Sequence, residues 1–156
     1  MKISTKQFGE IEVKDEEIIN FQNPIYGFAS LKKFILIRHG LLGWLQSVEN
    51  PDIAFLVANP YEVYKDYDVE LDDKDAEKLE INTTDDVFLL SIITLPEKTE
   101  NISMNLLSPV VINYKNYKAS QIILNNPKYK TKHYFYKELQ AFTAKKEKKT
   151  EEVAVS

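Results

Sequence analysis

The sequence predicts a mainly β protein: a single antiparallel β-barrel-like domain with one short helix and a charged, mobile C-terminal tail. Three observations carry that prediction. Short runs rich in Val, Ile, Phe and Tyr recur about every ten residues between turn signals, the spacing of an antiparallel barrel or sandwich. The alternation of strands with long helices that marks a nucleotide-binding sheet is absent. After about residue 136 the apolar pattern gives way to "TAKKEKKTEEVAVS", too poor in apolar residues to pack.

Taken in order, "KIST", "GEIEV" and "EIINF" open the chain, with Gly9 at the first turn. Strands are expected at 33–38, 43–48, 53–59, 87–95, 102–107, 109–114 and 118–124. Pro51 and Pro60 punctuate turns, because proline cannot continue a central ladder. One helix is expected near 72–80. Asp72 or Asp73 can cap it, early acidic residues suit its dipole, and Leu71, Ala76 and Leu79 form a thin stripe against the barrel's outside. "YKELQAF" reads as a helical turn or two. The expected division is a domain over 1–136 and a tail over 137–156, with a mobile end after about residue 140 and fast-exchanging amides beyond Ala144.

With 156 residues, 44% of them hydrophobic, the chain can bury a core without covalent staples. It has no cysteine, which removes disulfides, thiolate nucleophiles and Cys-ligated metal. The N-terminal stretch lacks a signal-like apolar region, and the longest apolar run, 87–95, is too short to span a bilayer. A soluble, cytoplasmic protein is expected, monomeric when free.

Catalytic templates fail one by one. His39 and His133 have no partner at metal-ligand spacing, and His39 sits in the turn-like "RHGLLG". No GxSxG, Walker or GxGxxG motif exists. The segment starting at Asp66 places oxygen ligands at most EF-hand loop positions, through Asp68, Glu70, Asp72 and Glu77. Leu71, however, stands where that loop needs glycine. No enzyme activity, metal or cofactor is expected.

Charge is distributed unevenly. Between Glu62 and Asp86, eleven acidic residues meet three lysines, net −8; the rest of the chain carries 17 basic and 13 acidic residues, net +4. An acidic face of this kind suits a basic partner. Rings and lysines interleave through Tyr114, Lys115, Tyr117, Lys118 and again over 128–136, so a single-stranded RNA-binding barrel is the alternative function. Against it, nineteen lysines accompany a single arginine, Arg38, which leaves bidentate base readout nearly without means.

Three segments in register carry a family resemblance: "FQNPIYGF" (21–28), "LQSVENPDIAFLVANPYEVYKDYDVEL" (45–71) and "NLLSPVVINYKNYKASQIIL" (105–124). Together they resemble the FliW family of flagellar assembly factors, over roughly residues 1–136. The family's first motif usually reads like Gly-Leu-Pro-Gly-Phe. Here Gly27 and Phe28 are kept, but Pro24 stands in place of the first glycine.

The resemblance implies a bacterial cytoplasmic β-barrel protein with two alternative partners. One is flagellin, held before export. The other is CsrA, an RNA-binding repressor of flagellin translation, whose repression is relieved when free FliW binds it. On this resemblance the expected binding residues are Glu70, Asp72, Asp73, Asp75 and Glu77 toward basic surface. Phe28 and Leu106 are expected as apolar anchors, and Asn105 and Pro109 at a rim where the ladder is interrupted. Asn105 has a purely local use as well, accepting from its own backbone.

Overall fold

Described residues of the computed structural model run from 1 to 155, with side chains through residue 145. Eleven strands and two α-helices follow one another as β1 (Lys2–Thr5), β2 (Gly9–Glu12), β3 (Ile19–Asn23), β4 (Lys33–His39), β5 (Leu42–Ser47), β6 (Ala54–Ala58), α1 (Asp73–Lys78), β7 (Val87–Thr94), β8 (Ser103–Met104), β9 (Val110–Asn113), β10 (Lys118–Gln121), β11 (His133–Tyr134) and α2 (Tyr136–Val155). Ten of these strands lie in the expected runs. The last expected ones are shorter, because Asn105, Ser108 and Pro109 interrupt the ladder.

Strands β4 to β7 pair in chain order, β7 also pairs with β9, β9 with β10, and β10 with β3, which returns to β4. The result is a closed ring of seven strands. An odd ring cannot alternate direction throughout, so one neighbouring pair must run the same way. That pair is β3 and β10, parallel where the sequence suggested antiparallel pairing. Closure removes the sheet edges that β3 and β10 would otherwise expose.

The barrel's interior draws on every ring strand: Ile19 and Phe21, Phe34, Leu45, Val57, Leu90, Val110 with Ile112, and Ala119. Phe34 stacks edge-on against Phe21 at 5.1 Å. On strand β9 the alternation is lost, since Val110, Val111 and Ile112 are all fully buried. A second core on the barrel's outside explains it. Val111, Leu89 and Met104 pack there under Tyr67, Leu79 and Phe135. A strand covered on both faces reads as a continuous apolar run, as "PVVI" does.

Helix α1 lies on the outside as expected, with Asp72 as its cap: Asp75 N–H donates to Asp72 Oδ1 at 2.8 Å. It ends at Leu79, fully buried, and Glu80, whose φ of 57 places it in the left-handed region. Helix α2 runs well past the expected turn or two. Tyr136 and Leu139 pack on the outer core, Gln140 donates to the Tyr136 hydroxyl at 2.9 Å, and the following Ala, Lys and Glu are strong helix formers. Of the end expected to be mobile after about residue 140, residues 141–145 continue helix α2, and 146–156 lie outside the described side chains.

Candidate protein-binding surface

The β9–β10 hairpin explains where the acidic segment sits. Asn113, buried at the end of β9, donates through Nδ2 to the carbonyls of Leu79 (2.7 Å) and Glu80 (3.2 Å). Asn116 donates to the Leu79 carbonyl and to Glu80 Oε2. Lys118 pairs with Glu80 at 2.7 Å and Lys115 with Asp86 at 3.1 Å. These bonds occupy the orphan carbonyls at the helix C-terminus and tie α1 to the barrel. Lys78 adds a bond to Asn23 Oδ1 at 2.8 Å.

So placed, the acidic residues do not share one face. Glu70, Asp72, Asp73 and Glu77 are exposed and Asp75 is half-buried. Asp68, Glu70, Asp72 and Asp75 line a groove of about 460 Å³ against Ile122–Asn126. Asp73 and Ala76 instead border a second groove, about 690 Å³, whose floor is Val69, Leu71, Val87 and Leu89 and whose flanks are Tyr61, Phe88 and Tyr114. Asp72 is the extended N-cap and Asp73 the first helical residue, so the two neighbours border different grooves. Burial and the adjacent Asp72 carboxylate push the Asp75 carboxyl above its ordinary value.

At the expected rim, the side chains face inward. Asn105 Oδ1 accepts from Ser108 N–H at 2.9 Å, the local use of the amide. Leu106 is 1% exposed, and its carbonyl accepts from the Tyr67 hydroxyl at 2.6 Å. Pro109 is buried, and its carbonyl accepts from Ile122 N–H. Leu106 is thus a wall residue that fastens the 59–71 segment, not an exposed anchor. Phe28 is half-buried, edge-on to Phe55 at 4.9 Å, after Gly27, whose φ of 87 suits glycine. Beside it Tyr26 is largely exposed.

Gln121, which sequence reasoning missed, joins the two. Its Oε1 accepts from Tyr26 N–H at 2.9 Å and its Nε2 donates to the Ser108 carbonyl at 3.1 Å. The Phe28 turn and the 105–109 rim therefore meet at one end of the barrel, the end where Ile122–Asn126 emerges. A glutamine inside an apolar-flanked strand was the available signal, since a buried amide must find both a donor and an acceptor.

Residues invoked for other chemistry are engaged within the fold. His133 Nε2 accepts from Lys130 N–H at 2.8 Å, and burial followed by Lys130's charge pushes its pKa down. Tyr129 is buried edge-on to Tyr67 at 4.8 Å. Of the cations behind the RNA-binding alternative, Lys115 and Lys118 are paired with carboxylates. Among the described residues no group of His, Asp and Glu is arranged to hold a metal, and no helix is long and apolar enough to cross a membrane.

Fold and surface define a small closed β-barrel protein that gathers an acidic groove, an aromatic turn and an interrupted ladder at one end. The chain belongs to the FliW family, whose model, described as FliW protein, matches residues 2–135. It is 45% identical to the flagellar assembly factor FliW of Clostridium novyi (strain NT), covering 88% of this chain and 99% of that one. It is 40% identical to that of Geobacter sulfurreducens (strain ATCC 51573 / DSM 12127 / PCA), covering 87% of each. A solved structure described as a crystal structure of the flagellar assembly factor FliW matches with a TM-score of 0.81 at 36% identity, over 86% of this chain and 96% of that one.

Proposed function

We propose that this protein is a flagellar assembly factor that works by binding two proteins in the cytoplasm. It holds flagellin before export, and it binds the translational repressor CsrA so that flagellin translation resumes. The observation that carries the assembly role is the identity with named flagellar assembly factors across nearly their whole length. The exposed carboxylates that α1 and the 59–71 wrap display, Glu70, Asp72, Asp73 and Glu77 among them, support a basic partner, whose encounter they would speed. Flagellin's amphipathic terminal helices would find apolar surface at Phe28 and along the groove floored by Val69 and Val87.

Size-exclusion chromatography of the purified protein with flagellin from the same organism tests the first half, with a one-to-one complex expected. Separate elution at micromolar concentrations would defeat it. For the second half, a CsrA dimer should take up one copy of this protein per protomer. Titration of that complex with target RNA separates modes of antagonism. Unlimited weakening means overlapping sites, and a plateau means a finite coupling free energy.

A further inference from the structure

We propose that Ile122–Asn125 is an open strand edge that accepts an extended basic segment of a partner protein, lysines or arginines at alternate positions meeting the carboxylates opposite. The proposal deepens, and rests on, the acidic-face reading above.

The edge follows from hydrogen bonding. Ile122 N–H donates to the Pro109 carbonyl and Leu124 N–H to the Leu107 carbonyl, at 3.1 and 2.8 Å. In extended chain, successive residues turn their backbone groups to opposite sides. Ile123 and Asn125 therefore direct their N–H and C=O groups away from the barrel. Neither makes a backbone hydrogen bond with any described residue, and β10's pairing with β3 ends at Ser120. Side chains alternate too: Ile122 and Leu124 are buried, while Ile123 is 59% exposed. The segment thus continues the line of β10 as extended chain, paired on one side and without a partner on the other among the described residues, the arrangement that strand addition uses.

Opposite this edge stand Asp68, Glu70, Asp72 and Asp75, across a groove of about 460 Å³. At roughly 3.3 Å rise, 4.8 Å strand spacing and 10 Å thickness, that is room for about three residues of strand. Charge selects the occupant. A second copy pairing edge to edge would bring its own four carboxylates against these, so like charge guards the edge against self-association. A strand with alternating cations would satisfy both walls at once, one by backbone hydrogen bonds and the other by ion pairs. The Asp75 carboxyl is held above its ordinary value by burial first and the Asp72 carboxylate second, and an arriving cation would offset both.

The test uses the full chain and a fluorescein-labelled heptapeptide alternating lysine and valine. Saturable binding is expected at low salt, with hydrogen exchange at the Ile123 and Asn125 amides slowed about tenfold or more in the complex. The same peptide methylated on every backbone nitrogen keeps its charge but loses its donors, and should bind at least about tenfold more weakly. Ile123→Pro removes only an outward donor and should weaken binding similarly without lowering the melting temperature. Binding that is lost in the triple variant Glu70→Gln, Asp72→Asn, Asp75→Asn, yet is indifferent to methylation and leaves both amides unprotected, would overturn strand addition while sparing the acidic face. No saturable binding by either peptide would overturn strand addition. The acidic face falls separately, if association with CsrA is indifferent to ionic strength and to those three substitutions. Concentration-dependent dimers that protect the same amides would replace the proposed occupant with a second copy.

Discussion

The barrel interior and the acidic wrap over its outside are held by different forces. Phe34, Leu45 and Val57 lie on successive strands, fully buried, with no polar group to satisfy. The wrap also has buried apolar side chains, Leu79 and Tyr67, but its position is set by polar bonds: Asn113 to the end of α1, Tyr67 to Leu106, and Lys115 to Asp86. Dispersion and water exclusion fix how much surface is buried but are non-directional. Directed hydrogen bonds fix which carboxylate points where. The interior therefore sets whether the protein folds, and the clasp sets what it presents.

The largest expected effect breaks the first region. Phe34→Ala should cost about 3–5 kcal/mol in denaturant unfolding, because Phe21 and Phe55 cannot both collapse into the void. A cost below about 1 kcal/mol would mean the interior is not the stability centre.

Asn113→Ala attacks the clasp. It leaves the Glu80 carbonyl without its bond and weakens that of Leu79, costing about 1–3 kcal/mol locally. Hydrogen exchange should quicken in α1 while amides of β5 and β6 keep their protection. Equal acceleration in both regions would show that the clasp is not a separate unit.

Acid should loosen the clasp and its neighbour in two windows. The hydrogen bond from Lys115, aided by the N–H groups of Thr83 and Asn82, holds the Asp86 carboxyl below its ordinary value despite burial. A depressed carboxylate contributes stability above its unfolded value of roughly 3.9, and that contribution is lost as pH falls through the lower folded value. Burial, then the charge of Lys130, pushes the His133 pKa down, favouring the neutral ring whose Nε2 accepts from Lys130 N–H. Its contribution is full above roughly pH 6.5 and shrinks as pH falls from there toward its folded value. Melting temperature against pH checks both: Asp86→Asn should flatten the lower window and His133→Gln the upper.

The smallest effect concerns encounter. Reversing Asp72 and Asp73 to lysine should slow association with CsrA several-fold and flatten its salt dependence, each exposed charge contributing a few tenths of a kcal/mol. Stopped-flow rates at two ionic strengths decide it. Because the two residues border different grooves, the single reversals also sharpen the map. Asp72→Lys alone should account for the change if the partner lies along Ile122–Asn126.

Much was legible in the sequence. Ten strands, the Asp72 cap and the Gly9 turn are local facts, written in alternation, capping chemistry and glycine's tolerance of positive φ. So was the imbalance of charge, which needs no fold to count. The length of α2 was misjudged because its weak stripe, Tyr136, Leu139 and Phe142, gives little periodicity beyond the intrinsic preference of Ala, Lys and Glu for helix. The two-residue β11 was too short to show any pattern at all.

What only the tertiary structure decided is long-range. Closure through β3 and β10 joins residues nearly a hundred positions apart, and the odd strand count then forces their parallel pairing. No local pattern encodes a ring. Packing of the outer core turned Leu106 from a candidate anchor into a buried residue, since a leucine's exposure depends on what is packed over it. Tertiary structure also brought Gln121 between the Phe28 turn and Ser108, and it left the backbone of Ile123 and Asn125 without a partner among the described residues, opposite Asp72. Residue type fixes what a side chain can do, whereas its neighbours, supplied by distant chain, fix what it does.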